Sequence, residues 1–384
     1  MTYNIVRVLL IVLPFIVVPN EYDCFRSIKE SLFQIGSIAL LASLFFDTKM
    51  REYKNKYLGY FLLYLGISFF RFFSMAYIWG GNVRGTQYRT IINTWNLLPT
   101  INIILGFIML KVIIENLKWN QVRTLIKLTC FVTFIISCHL ILQRLGVFQI
   151  YGHDNFDGAK GWLSANRTIG FLGNPMVAGG FVSIASQFNL FFRKRINYVF
   201  YFIAFVATVV TSTTTAPAVF IVCAFIYFII YRRSVGICLG ILSIIGLGAA
   251  FKFKDFYSFS DRLEVWKQTV EWWWKMPYTG LGLGNFRTHN LLVKTTRWWQ
   301  VHSEPLQILH ELGILGFSLV GLIVIDFYRR LKFKREVFVC GLVVFSGILN
   351  SITTFPLHIA PTMFLIIIGF AFKEILEQED SNGS

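Results

Sequence analysis

Three side chains in this sequence combine types suited to chemistry on a phosphorylated substrate. His302 lies in Val301-His302-Ser303-Glu304-Pro305-Leu306. Arg262 lies in Ser260-Asp261-Arg262-Leu263-Glu264-Val265-Trp266, and Arg167 in Asn166-Arg167-Thr168-Ile169-Gly170. A neutral imidazole can take a proton from a hydroxyl. A guanidinium offers a rigid fork of donors that matches phosphate oxygens. Pro305 suits the first turn of a helix and Ser303 can cap it, so His302 stands at a helix N-terminus. The helix dipole and nearby arginines disfavour added positive charge there. The spacing therefore predicts a neutral imidazole near pH 7. Two plainer readings compete: an interfacial histidine without a role, and arginines that only reach the bilayer edge.

Other residues are weaker signals. Arg71, His310 and Glu311 fall within apolar stretches, where ionisable groups are functional candidates. A His310–Glu311 relay is disfavoured, because neighbours along a helix do not share a face. The glycines of Gly280-Leu281-Gly282-Leu283-Gly284 lack the context of a phosphate loop and suit a flexible turn on the membrane surface. Trp272, Trp273, Trp274, Trp298 and Trp299 crowd the same region. They fit an interfacial aromatic belt or a platform for a sugar or polyprenyl chain.

The elements that must position these groups follow from composition. Of 384 residues, 55% are hydrophobic and only 15% charged. Mean hydropathy is +0.59. A soluble domain is about 25% charged. The balance excludes a soluble enzyme and a disordered chain, and it indicates a polytopic membrane protein. The net charge of +16 would suggest nucleic acid in a soluble protein, but no long polar surface exists to carry it. The six cysteines form no CxxC pair, so neither zinc nor a disulfide framework is indicated. The run from Ile5 to Val18 lacks a small-residue cleavage site and reads as a first membrane helix.

A crossing helix needs about 20 apolar residues. The sequence predicts an all-α fold of about twelve transmembrane helices: 4–19, 31–47, 57–79, 91–113, 124–143, 169–192, 196–212, 215–231, 235–251, 305–327, 337–354 and 358–375. With both termini in the cytoplasm, each inside loop is basic, as at Arg193-Lys194-Arg195 and Arg329-Arg330. The outside turns at 211–215 and 354–358 carry no Lys or Arg. Four regions result: an N-terminal bundle over 1–168 with an outside loop at 144–168, central helices over 169–251, a large outside loop with short helices over 252–304, and C-terminal helices and tail over 305–384. In the large loop, Asp261 should cap a helix that runs to Lys275, where Pro277 stops it. That loop holds eight Lys/Arg against five Asp/Glu. A basic excess on that side suggests an anionic ligand.

The runs Ser260-Asp261-Arg262…Trp266, Pro277-Tyr278-Thr279-Gly280-Leu281-Gly282 and His302-Ser303-Glu304-Pro305-Leu306…Gly313 resemble the O-antigen ligase and polymerase family of membrane glycosyltransferases. Arg167…Gly170…Gly173-Asn174-Pro175 is similar to a further family segment. The resemblance implies a metal-independent, inverting glycosyltransferase without cofactor, multi-pass in a bacterial inner membrane. Its partners would be an undecaprenyl-diphosphate-linked glycan, membrane lipids and an acceptor, either lipid A–core or another glycan. It would act as a ligase or a repeat-unit polymerase. By the same resemblance Arg262 and Arg167 would bind the donor diphosphate, and His302 would deprotonate or orient the acceptor hydroxyl. Trp266, Trp273 and Glu304 are possible acceptor or lipid contacts. One departure stands out: Thr211-Ser212-Thr213-Thr214-Thr215 carries no arginine where family members commonly have one. A transporter or flippase built on Arg71, His310 and Glu311 is the alternative from another class.

Overall fold

The computed structural model describes residues 1–17, 27–46, 86–147, 167–236, 257–282, 286 and 301–382. Every regular element among them is helical. In chain order they are α1 (Thr2–Phe15), α2 (Ser27–Phe46), α3 (Thr86–Asn116), α4 (Trp119–Arg144), α5 (Pro175–Ala185), α6 (Arg195–Val210), α7 (Thr215–Tyr231), α8 (Tyr257–Lys275), α9 (Glu304–Arg329), α10 (Arg335–Ser351) and α11 (Ala360–Asn382). The spans expected at 57–79 and over most of 235–251 lie outside the described residues, as do Arg71 and most of the loop at 144–168.

Two helices, α4 and α9, are long and apolar enough to cross a membrane by themselves. Three more, α1, α6 and α7, are apolar but shorter. Large apolar side chains point outward from several of them: Phe202 of α6 is 65% exposed and Ile325 of α9 62%. Such a surface would be insoluble in water but is at home against acyl chains. The architecture is that of a helical membrane protein. The figure of twelve spans belongs to the sequence expectation, since only these helices meet the requirement among the described residues.

The expected span at 169–192 is not one helix. Gly170 and Gly173 adopt positive φ, and Asn174 caps α5 by accepting from the Met176 N–H at 2.8 Å, with Pro175 in the first turn. The α-helix lasts 11 residues and passes into a 3-10 segment, Ser186–Phe191. At about 1.5 Å and 2.0 Å rise per residue, the two together reach roughly 28 Å, close to the thickness of a hydrocarbon core. This element is buried almost throughout and packs on α4, α6, α7, α10 and α11. Gly179 permits the approach of α7, because a Cβ there would stand 2.8 Å from that of Ala216. Asn350 of α10 donates to the Ser183 hydroxyl across the core at 3.0 Å.

Candidate functional site

The segment carrying Arg167 is fastened from three helices. The Gln143 side-chain carbonyl of α4 accepts from the N–H groups of Ile169 and Gly170, at 3.0 and 2.9 Å. The buried Lys29 ammonium of α2 donates to the Phe171 carbonyl at 2.9 Å and to the Ile16 carbonyl at 2.6 Å. The Thr168 hydroxyl donates to the Val210 carbonyl at the end of α6, at 3.2 Å. The bonds to Ile169, Gly170 and Phe171 satisfy backbone that the two positive-φ glycines leave outside a helix, and those to Ile16 and Val210 tie the segment to the ends of α1 and α6.

Arg262 reaches this segment from α8. Its Nη2 donates to the Met176 sulfur at 3.2 Å, in the first turn of α5. Burial and then the charge of Arg167 pull the Arg262 guanidinium below its ordinary value. Two guanidiniums therefore stand close enough to repel, partly desolvated. Helix α8 begins at Tyr257, so Asp261 lies in its second turn and not at its cap. No glycine or proline interrupts 257–260, so the helix extends past the polar residue that seemed to start it.

His302 completes the group. It is 9% exposed, and its ring lies 5.3 Å edge-on from that of Phe355. Burial first, and the Arg262 charge second, push its imidazole down to about 4. The sequence points to neighbouring arginines and the helix end, whereas burial is the larger cause. His302 also holds φ +55, a left-handed conformation that costs a non-glycine residue roughly 1–2 kcal/mol. Ser303 occupies the cap position of α9 by its backbone, but its side chain makes no capping bond, contrary to the expectation.

Glu304, expected among acceptor or lipid contacts, is held within the fold. Its side chain is 1% exposed. Its Oε1 accepts from the Leu357 N–H at 2.7 Å and pairs with His358 Nδ1 at 3.0 Å. The carboxylate thus ties the start of α9 to the turn before α11. The Trp266 indole donates to the Val301 carbonyl at 3.0 Å, and the Trp273 indole to the Pro277 carbonyl at 2.9 Å. Both fix the backbone around His302 and the following turn, whatever they contact besides.

The turn at 277–282 is not a loose surface loop. In an unbroken helix the N–H groups of Ile314 and Leu315 would bond the carbonyls of His310 and Glu311. Instead, Ile314 and Leu315 donate to Pro277 and Tyr278, at 2.8 and 3.2 Å. The two released carbonyls accept from Leu281 and Gly282, at 2.8 and 2.7 Å. The turn is spliced into the ladder of α9. The splice needs Gly313, at φ 64 and ψ −167, and Gly280, at φ 64. A Cβ on Gly313 would sit 2.4 Å from the Tyr278 carbonyl carbon. His310 and Glu311 therefore serve the turn through their carbonyls. The His310 ring packs near Trp272 and Phe286, and the Glu311 side chain accepts from Gln307.

Arg167, Arg262 and His302 come together at one end of the bundle. The same end holds the 211–215 turn, where the Thr215 and Thr353 hydroxyls bond each other. No arginine stands in that turn; Arg167 and Arg262 supply the local positive charge. His358 and Phe355 were missed as neighbours of the site. The available signal was topological: the turn at 354–358 was expected on the same side as His302.

Residues 199–321 match the family model described as O-antigen ligase. The matched stretch, about a third of the chain, holds Arg262 and His302 and leaves Arg167 outside. No curated protein matches the sequence.

Proposed function

We propose that this protein transfers a glycan from undecaprenyl diphosphate to an acceptor hydroxyl at the outer face of a bacterial inner membrane. The observation that carries the reading is the place of Arg262, held on Met176 beside the Arg167 segment, where its charge acts with that of Arg167 and on the buried His302. Two cations held together in a partly desolvated place favour a dianion between them. A diphosphate leaving group is such an ion.

The chemistry follows in one displacement. The acceptor oxygen attacks the anomeric carbon of the donor sugar. The bond from that carbon to the diphosphate oxygen breaks, and its electron pair leaves with the diphosphate. Arg262 and Arg167 stabilise the growing negative charge. His302 receives the acceptor proton or orients the hydroxyl that loses it. A single displacement inverts the anomeric centre. Twelve spans with both termini inside would set this site beyond the cytoplasm, where the lipid tail of the donor can stay in the bilayer.

The match to the O-antigen ligase model supports glycan transfer of the ligase and polymerase kind and does not choose the acceptor. Lipid A–core as acceptor makes the protein a ligase; a second repeat unit makes it a polymerase. The test supplies purified protein with a lipid-linked oligosaccharide and each acceptor in turn, with and without chelator. Product that persists in chelator is expected. His302→Ala and Arg262→Ala should each lower turnover by about a hundredfold or more while the protein still inserts. Full activity in both variants would remove the mechanism.

A further inference from the structure

The opposite end of the bundle contains a cavity of about 450 Å³. Three chain segments line its rim with cations: Arg123 from α4, Arg193 and Lys194 before α6, and Lys334 and Arg335 at the start of α10. Trp119, Phe192 and Leu376 add an apolar face to it. The Trp119 and Phe191 rings lie 5.7 Å apart and form part of that face. Glu336 and Glu379 also line it, but five cations outnumber two carboxylates.

The preference of cytoplasmic loops for Lys and Arg accounts for cations on this side. It does not account for a concavity, nor for an aromatic wall beneath converging charges. The N-termini of α4, α6 and α10 all open toward this region and add to its positive potential. Among the described residues, no carboxylate forms an ion pair with Arg123, Arg193, Lys194 or Arg335. The Arg335 guanidinium donates through Nη2 to the Phe191 carbonyl, while its buried Nε–H has no partner among those residues. A buried donor left over in a cationic pocket calls for an acceptor.

We infer that this cavity binds the phosphate head group of an anionic membrane lipid. The cations engage the phosphodiester, and the aromatic and aliphatic wall accepts the glycerol and the first methylenes. A free phosphate would use the cations but not that wall. Basic pockets between helices at the membrane surface are chemically suited to such head groups. The site lies at the far end from Arg262 and His302, so it stands or falls separately from the glycan-transfer reading.

The test uses the full-length protein in neutral detergent and follows thermal unfolding. Phosphatidylglycerol, phosphatidylcholine and inorganic phosphate are added in separate arms. Phosphatidylglycerol should raise the midpoint in a concentration-dependent way, and the other two should not. Arg193→Gln with Lys194→Gln should weaken the lipid response by roughly thirtyfold in concentration. Arg232→Gln with Arg233→Gln removes the same charge from the end of α7, outside the pocket, and should leave the response intact. Arg123→Gln offers a single-site variant should the first double variant fold poorly, and it too should right-shift the response. An equal loss in the Arg232 and Arg233 variant, a matching shift from phosphate alone, or no response in the native protein would each overturn the assignment.

Discussion

At the residue scale, His302 concentrates the constraints. A buried imidazole binds its proton weakly, and the Arg262 charge weakens it further. The ring therefore stays neutral throughout the physiological range. Its folded value of about 4 lies below the ordinary 6.5, so the unfolded chain binds more protons between those limits. This residue's contribution to stability is complete above pH 6.5 and fades as the pH falls toward 4. Histidine carbon NMR should find one ring titrating near 4, identified by its absence in His302→Gln. Arg262→Gln should raise that value, since a repelling charge is gone. A native His302 that titrates near 6.5 would mean the ring is neither buried nor close to Arg262. The arginines and this histidine were legible in the sequence because their types and loop positions suit one chemistry. His358 was not, because its pairing with Glu304 joins residues 54 positions apart and leaves no spacing pattern.

At the element scale, the decisive feature is the splice between the 277–282 turn and α9. A glycine within an apolar helix usually permits close packing. Nothing local separates that use from a helix break, so the sequence suggested one continuous span at 305–327. The break depends on a partner arriving from more than thirty residues upstream. The early start of α8 and the broken character of the 169–192 stretch were hidden similarly, the first by a misleading acidic residue and the second by two left-handed glycines. Two substitutions on the same helix test the splice. Gly313→Ala puts a Cβ into the Tyr278 carbonyl and demands a left-handed alanine, so it should destabilise by about 2–4 kcal/mol. It should also cost activity, because the turn joins the helix bearing Arg262 to the helix beginning after His302. Gly321→Ala meets open space and should be neutral or stabilising by about 0.5–1 kcal/mol. Thermal unfolding in detergent reads both. Equal effects would show that the splice does not hold the site together.

At the scale of the whole molecule, the chain separates two kinds of charge. Arg167, Arg262 and His302 gather at one end, and the pocket with Arg123, Arg193 and Arg335 lies at the other. Helices α6 and α9 run between these ends, α6 from Arg195 to Val210 and α9 from Glu304 to Arg329. Hydropathy made the helical class legible, since it is a sum over many residues. The number of crossings is harder to read, because a composite or broken helix carries less hydropathy per segment than its length suggests. The orientation has a direct test. Lys267 is exposed on α8, one residue beyond Trp266. Phe333 is 72% exposed, in the connection between α9 and α10. Lys267→Cys should react with a membrane-impermeant maleimide in cells whose outer membrane alone has been opened. Phe333→Cys should react only after the inner membrane is broken. The native cysteines Cys130, Cys223 and Cys340 are buried, and the unmodified protein sets the background. Labelling of both positions from the outside would mean that α9 does not cross the membrane, and labelling of Lys267→Cys only after the inner membrane is broken would put the site in the cytoplasm. A lipid-linked donor delivered to the outer leaflet could then not reach His302, even with every local contact intact.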